Sequence, residues 1–265
     1  MMQRDLKLAI RKWVRRTGFD VIRLQSEKPP QYGRFAVVDS CQIPNLGFLL
    51  DFFFGDVAVG TFVEVGAFDG YTYSNTWGLA AAGWRGFYIE PVASHAAQCR
   101  RVHSTHPHVT VSNLAISDRS GEIALRLDGE LTTAVHEDVR PPSPDRDGLQ
   151  SSGDETHVWA TTLDSYLETK HVEPGFEVLV VDVEGSEDRV FRGFDIDHWH
   201  PSMMIIETTE LHPMAHGNRS AGAALVRQLQ AAGYAIQYKD TSNTIFVDHE
   251  SSIRAFNRAD RPERA

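Results

Sequence analysis

The sequence of 265 residues lacks any apolar run long enough to cross a membrane. A spanning helix needs about 20 such residues, whereas the longest run, 46–54, is short and interrupted by Asp51. Only two cysteines are present, Cys41 and Cys99. That excludes a disulfide framework, and the two show no metal-ligand spacing. Positive charge is also scarce, with 26 Lys and Arg against 36 Asp and Glu and a formal net charge of −10. A field of that sign repels nucleic acid unless a local basic patch overrides it, so none is expected as a partner. The opening residues are basic but lack the apolar core and cleavage site of a secretory leader. A reducing, cytoplasmic setting is therefore the expectation. No internal repeat is visible.

One basic cluster stands at the start: Arg4, Lys7, Arg11, Lys12, Arg15 and Arg16. Leu6, Ile10, Trp13 and Val14 fall on the other face at helical spacing. Such a helix either caps the core with its basic face in water or docks on a partner or an anionic membrane surface. The expected organisation is a helical extension over 1–55, one catalytic domain over 56–250, and a polar tail over 251–265 that frays from Arg254. The apolar 46–54 run packs on the sheet or, in a homodimer, faces a partner subunit.

What is abundant is apolar residues, 42% of the chain, in strand and helix patterns that alternate. That alternation predicts an α/β fold with a mostly parallel sheet. Strands are expected over 62–65, 86–89, 109–116, 122–127, 176–181 and 203–206. Helices are expected over 76–82, 92–102, from 187, and over 221–232. The segments 234–238 and 244–247 read as a terminal antiparallel hairpin. Between 128 and 156 the pattern fails in a stretch rich in Pro, Asp, Ser and Gly. A loop of that length in a compact domain is usually a lid or a binding loop.

The first strand runs into FVEVGAFDGYTYSNT. Gly66 and Gly70 permit a tight turn at the carboxyl end of a parallel strand, where open α/β sheets bind ligands. The order Gly66-Ala67-Phe68-Asp69-Gly70 is not the G-x-G-x-x-G of a dinucleotide site. Two carboxylates flank the turn, Glu64 and Asp69. They would repel a pyrophosphate, but they suit a cationic ligand such as the amino group of a methionine moiety. Otherwise Asp69 is simply a turn residue. The second strand ends in Glu90, an acid placed to accept both hydroxyls of a ribose or merely to face water. Ala115, near the end of the third, is small enough to leave room for an adenine edge.

The fourth strand ends in VLVVDVEGSEDRVFRGFD and the fifth in MMIIETTE. Asp182, Glu184 and Glu187 are the first polar groups after the fourth strand, and Glu207 lies at the same rim. Neighbouring strands lie about 4.8 Å apart, so Asp182 and Glu207 can converge on one hard divalent ion such as Mg²⁺. That ion would bind an acceptor hydroxyl and lower its pKa. The competing reading has these acids capping helices or holding backbone amides. Histidine is the usual base near neutral pH, and His136, His212 and His216 lie in segments that can overhang the cleft.

Together the G-A-x-x-G turn, GFYIEP, NLAISDRSGEIAL, TTLDSYL, the D-V-E-G-x-E run and MMIIETTE resemble the FkbM-type S-adenosylmethionine-dependent methyltransferase family, over roughly residues 61–247. The resemblance implies a Rossmann-like class I methyltransferase, a seven-stranded sheet of order 3-2-1-4-5-7-6 with an antiparallel last strand and helices on both faces. It implies S-adenosylmethionine as cofactor and methylation of sugar or natural-product hydroxyls. Carried over, Glu64, Gly66, Asp69, Gly70 and Ser74 line the methionine end. Glu90 holds the ribose, the residues from Ser112 through Ala115 to Ser117 border the adenine, and Asp182 lies near the methyl group. Glu64 departs from the aspartate more usual in the family. The 128–155 stretch is not part of its motif.

The function expected is O-methylation of a carbohydrate, a hexose or mannoside of a bacterial glycan or glycolipid. His136 or His212 would act as base, and Trp77, Trp84, Trp159 and Tyr71 are available to stack on a small-molecule or oligosaccharide acceptor. Three alternatives stand beside it: methylation of a polyketide or other small natural product, an NAD-dependent oxidoreductase on the same sheet, and a non-catalytic binding module.

Overall fold

The computed structural model describes residues 33–128, 131–134, 155–208 and 219–259, all within one unit, Gly33–Ala265. The basic cluster of the first 32 residues therefore lies outside the described residues. In chain order the elements are α1 (Leu46–Phe54), β1 (Thr61–Val65), α2 (Trp77–Ala81), β2 (Arg85–Ile89), α3 (Ala93–Val102), β3 (Val109–Ser112), β4 (Ala115–Ile116), β5 (Gly121–Asp128), β6 (Leu131–Ala134), β7 (Glu155–Thr161), α4 (Leu163–Thr169), β8 (Val178–Val181), α5 (Glu187–Arg192), α6 (Ile196–Trp199), β9 (Met203–Glu207), α7 (Arg219–Ala231), β10 (Tyr234–Lys239), β11 (Asn243–Asp248) and α8 (His249–Ala259).

Seven strands form the central sheet in the order β10-β11-β9-β8-β1-β2-β3. From β3 to β9 all neighbours are parallel, whereas β11 runs antiparallel to both β9 and β10. Counted by its own strands from the β3 edge, the sheet reads 3-2-1-4-5-7-6. In plain chain numbering the order differs, because β4 to β7 intervene after β3 and build a second sheet, β4-β7-β5-β6.

Strand alternation divides the core between the two faces. Val63, Val65, Phe87, Ile89, Leu179, Val181, Met204 and Ile206 pack with Leu163 and Leu167 of α4, Phe191 of α5 and Leu229 of α7. On the opposite face, Phe62, Tyr88, Val178, Val180, Met203 and Ile205 pack with Leu46, Leu50 and Phe54 of α1, Leu79 of α2 and Ala255 of α8. The strands β8 and β9 are apolar in almost every position because both their faces are covered. No helix among the described residues is long and apolar enough to cross a membrane.

Three expectations are corrected. Residues 109–116 are not one strand: β3 stops at Ser112, and Ala115–Ile116 pairs with Ala160 and Thr161 in the second sheet. The break falls at Asn113, whose side-chain amide donates to the carbonyls of Glu90 and Pro91 and turns the chain away. The supposed loop over 128–156 is bounded by strands, since β6 and β7 both pair with β5. The fraying tail is a helix as far as Ala259. Asp248 caps it by accepting from the Ser251 N–H at 3.0 Å, a side-chain oxygen satisfying a donor that the first turn leaves free.

Candidate functional site

The carboxyl ends of β1, β2, β8 and β9 converge at one edge of the sheet. After β1 the chain turns at Gly66, with φ of 88°, Phe68 at 49° and Gly70 at 74°. The turn is pinned from both sides. The N–H groups of Gly66 and Ala67 donate to the Ile89 carbonyl, and the Asp182 N–H donates to Val65. A Cβ on Gly66 would stand 1.6 Å from the Asp182 carbonyl oxygen, so only glycine lets the turn lie this close to β8.

Asp69 closes its own turn. Its carboxylate accepts from the Tyr71 N–H at 2.9 Å, the Thr72 N–H at 2.7 Å and the Thr72 hydroxyl at 2.8 Å. Ser74 accepts from the Thr76 and Trp77 N–H groups and donates to Glu64 at 3.3 Å. Glu64 is buried, with the hydroxyl of Thr76 as its second donor. Tyr88 lies 3.0 Å from that same hydroxyl. Burial, with the nearby Asp182 charge adding to it, pushes the Glu64 carboxyl up to about 7 against the pull of these hydroxyls.

Glu90 bridges two loops. One oxygen accepts from the Phe68 N–H and the other from the Val92 N–H, each at 2.8 Å. Each oxygen keeps another lone pair, so the group can still accept from a ligand. Burial raises it to about 7. His95 approaches to 3.8 Å. Ala115 and Ser117 are both buried. They belong to the edge of the second sheet, where the Ser117 N–H donates to Thr161.

Beyond the turn, Asp182, Glu184 and Glu207 each offer a carboxylate oxygen within 4.8 Å of the others. The spacing expected of Asp182 and Glu207 is thus present, and Glu184 joins them. Glu184 owes its aim to a left-handed backbone, φ 54°, followed by Gly185 at 93°. Glu187 turns back so that one oxygen accepts from the N–H groups of Val183 and Gly185, at 3.2 and 3.0 Å. It shapes the loop and spends that oxygen on backbone amides. Burial, reinforced by like charge, pushes Glu184 and Glu187 up to about 7 and raises Glu207, while burial raises Asp182 against a hydrogen bond with Glu207. The second oxygen of Glu207 is buried and has no hydrogen-bond partner. The three carboxyls of Asp182, Glu184 and Glu207, with an orphaned oxygen among them, form a donor set that a hard divalent cation fits.

The candidate bases His136, His212 and His216 lie outside the described residues. Of the aromatic side chains, Trp84 is fully buried against Phe35 and Phe54 and presents no platform. This corrects its expected availability. Tyr71 is exposed and meets Trp77 edge-on at 5.6 Å, and Trp159 is 63% exposed on β7. Sequence reasoning passed over Thr76 and Tyr88, which complete the Glu64 network. Thr76 carries a signal, ten-odd residues past a strand-end acid in a hydroxyl-rich run. Tyr88 carries none, because a tyrosine inside a strand looks like core.

Residues 64–236 match the family described as the methyltransferase FkbM domain. Among solved structures, the O-methyltransferase from Bacillus cereus in complex with S-adenosylhomocysteine is 16% identical, covering 80% of this chain and 84% of that one, at a TM-score of 0.45. The O-methyltransferase TomG from Streptomyces achromogenes, involved in tomaymycin synthesis and in complex with S-adenosylmethionine, is 14% identical, covering 77% of each chain, at 0.44. No curated protein matches the sequence.

Proposed function

The chain belongs to the FkbM methyltransferase family, and from that premise we propose that it transfers the methyl group of S-adenosylmethionine to a hydroxyl of a hexose or mannoside in a bacterial glycan or glycolipid. The observation that carries this reading is the adjacency of two sites at one sheet edge. A glycine turn between Glu64 and Glu90 stands beside the acid group Asp182, Glu184 and Glu207.

The turn with its acids suits the cofactor. The methionine end would meet Gly66, Asp69, Gly70, Ser74 and the ionised Glu64, whose charge favours an ammonium group. Glu90 would accept from the ribose hydroxyls, and Ala115 and Ser117 would border the base. The reaction is an in-line displacement. The acceptor oxygen forms its bond to the methyl carbon, the carbon–sulfur bond breaks, and its electron pair stays on sulfur to leave the thioether. Its rate depends on holding oxygen and methyl in line, and the acceptor proton must go to a base. His136 and His212 remain the proposed bases.

An aliphatic hydroxyl is a poor nucleophile, so its activation is the harder half of the task. Asp182, Glu184 and Glu207 would hold Mg²⁺, which when bound lowers the pKa of a neighbouring hydroxyl. A sugar offers adjacent hydroxyls to such a rim and apolar C–H faces to the exposed rings of Tyr71 and Trp159 and the half-buried ring of Trp77.

The test is calorimetric titration with S-adenosylhomocysteine, followed by methyl transfer from labelled cofactor to a panel of hexosides, with and without chelator. Binding and chelator-sensitive labelling of a hexoside support the whole reading. Labelling of small natural-product hydroxyls alone would overturn the acceptor class. Full activity after exhaustive chelation would overturn the cation.

A further inference from the structure

Beneath the glycine turn lies a histidine to which no step above gives a task. His103, the residue after α3, is 4% exposed and its ring stacks on Tyr88 with centroids 4.3 Å apart. Its Nε2 lies 2.9 Å from the Gly70 carbonyl oxygen, and its Nδ1 lies 2.9 Å from Nδ1 of His106. A carbonyl only accepts, so Nε2 carries the proton and donates it. Nδ1 is then the acceptor, and His106 donates to it. Both nitrogens of a buried ring are thereby committed, and its tautomer is set by its neighbours.

The fit around the turn is close. A Cβ on Gly70 would stand 2.6 Å from the Cys99 sulfur and 2.8 Å from His103 Nε2. Gly70 therefore rests directly on Cys99 of α3 and on His103. The turn it ends is the one whose glycines and flanking acids meet the cofactor in the reading above. On its other face the His103 ring touches Tyr88, and Tyr88 reaches the Thr76 hydroxyl that serves Glu64. One ring thus touches both the glycine turn and the network that orients the first-strand acid.

We propose that His103 is a positioning residue for cofactor binding: its Nε2–H holds the Gly70 carbonyl, and its ring, seated on Tyr88, fixes the turn relative to the Glu64 hydroxyl network. This rests on the cofactor reading above. Burial drives the imidazole down to about 4, which keeps the ring neutral and Nδ1 free to accept at physiological pH. His103 touches neither donor nor acceptor, so its loss affects how the cofactor is held rather than the chemical step.

The variants are His103→Phe, which keeps the stacked ring and loses both hydrogen bonds, and His103→Gln, whose amide N–H can reach the place of Nε2. By calorimetry with S-adenosylhomocysteine, His103→Phe should bind about fivefold more weakly, the equivalent of one net hydrogen bond. His103→Gln should recover most of that loss. In turnover assays the KM for the cofactor should rise while kcat holds. Equal binding by wild type and His103→Phe, or equal losses in both variants, would overturn the inference. Should His103→Phe fail to fold, nitrogen-15 spectra of the wild-type histidine rings decide. A proton on Nε2 of His103 whose resonance moves when S-adenosylhomocysteine is added supports the role, and a proton on Nδ1 overturns it. Absence of any binding by the wild type would remove the cofactor reading itself, an outcome distinct from binding that is indifferent to His103.

Discussion

Glu64 and Tyr88 are register partners on the neighbouring parallel strands β1 and β2, and both reach the same hydroxyl, that of Thr76. A hydroxyl has one proton to give. With Glu64 ionised, Thr76 gives it to the carboxylate and accepts from the phenol, so the three groups form a directed chain. Ser74 supplies Glu64 with a second donor. Because burial holds Glu64 near 7, the direction of this chain depends on whether the acid carries a proton.

Removal of the middle link should be felt at both ends. Thr76→Val leaves Glu64 with one donor fewer and Tyr88 without its partner, at a cost of about 1–3 kcal/mol in urea unfolding. Ionisation of Glu64 becomes harder still, so the pH at which S-adenosylhomocysteine binds best should move upward. A binding profile superimposable on that of wild type would show that the hydroxyl does not tune the acid.

The raised carboxyl also makes stability depend on pH. Glu64 binds its proton more tightly in the folded chain than at its ordinary 4.5. The stability this contributes is complete below 4.5 and is lost as pH rises through about 7. Glu64→Gln cannot lose it. The stability of the variant relative to wild type should therefore increase by roughly 1 kcal/mol per pH unit between about pH 5 and 7, then level off. Urea titrations at several pH values measure this, and a constant difference would contradict it.

At the acid group, Glu207→Gln should act in two opposite ways. Without added cation it removes one of the crowded charges, and the melting temperature should rise by a few degrees. With millimolar Mg²⁺ the wild type should gain stability, because a ligand that binds only the folded state raises it by mass action, and the variant should gain little. Equal responses to Mg²⁺ would show that Glu207 holds no cation.

Two glycines of similar backbone conformation should tolerate alanine very differently. Gly66 and Gly83 have φ of 88° and 84°. A Cβ at Gly83 meets nothing within 4 Å, whereas one at Gly66 collides with the Asp182 carbonyl. Gly83→Ala should cost about 1 kcal/mol for the left-handed backbone alone. Gly66→Ala should cost several times that or prevent folding, as read by circular dichroism. Similar losses at both positions would mean that β8 moves aside easily.

Much of this was legible in the sequence. The parallel core announced itself because strands covered on both faces are apolar throughout, as in 178–181 and 203–206. The turn announced itself through glycines that no other residue can replace, and the acids at the ends of β8 and β9 through the abrupt end of the apolar runs. The second sheet was hidden for two reasons. A single side chain, Asn113, diverts a run that reads as one strand, and β6 and β7 border a composition typical of loops. The helix α8 was hidden because its buried face is made of small and polar residues, Ser251, Ser252 and Ala255. Asp69, Glu90 and Glu187 showed as acids, but their spacing does not reveal that backbone amides occupy their oxygens.

The second sheet leaves the core at Ala115 and returns at Ala160, and those two residues are side-by-side partners in its parallel β4–β7 pairing. Entrance and exit share one doorway, clasped by the Ser117 N–H on the Thr161 carbonyl. Whatever is spliced between them can lengthen, shorten or change its chemistry without altering the path of the chain through the seven core strands. Selection acting on the excursion can thus reshape it while the glycine turn and the acids at the strand ends stay as they are.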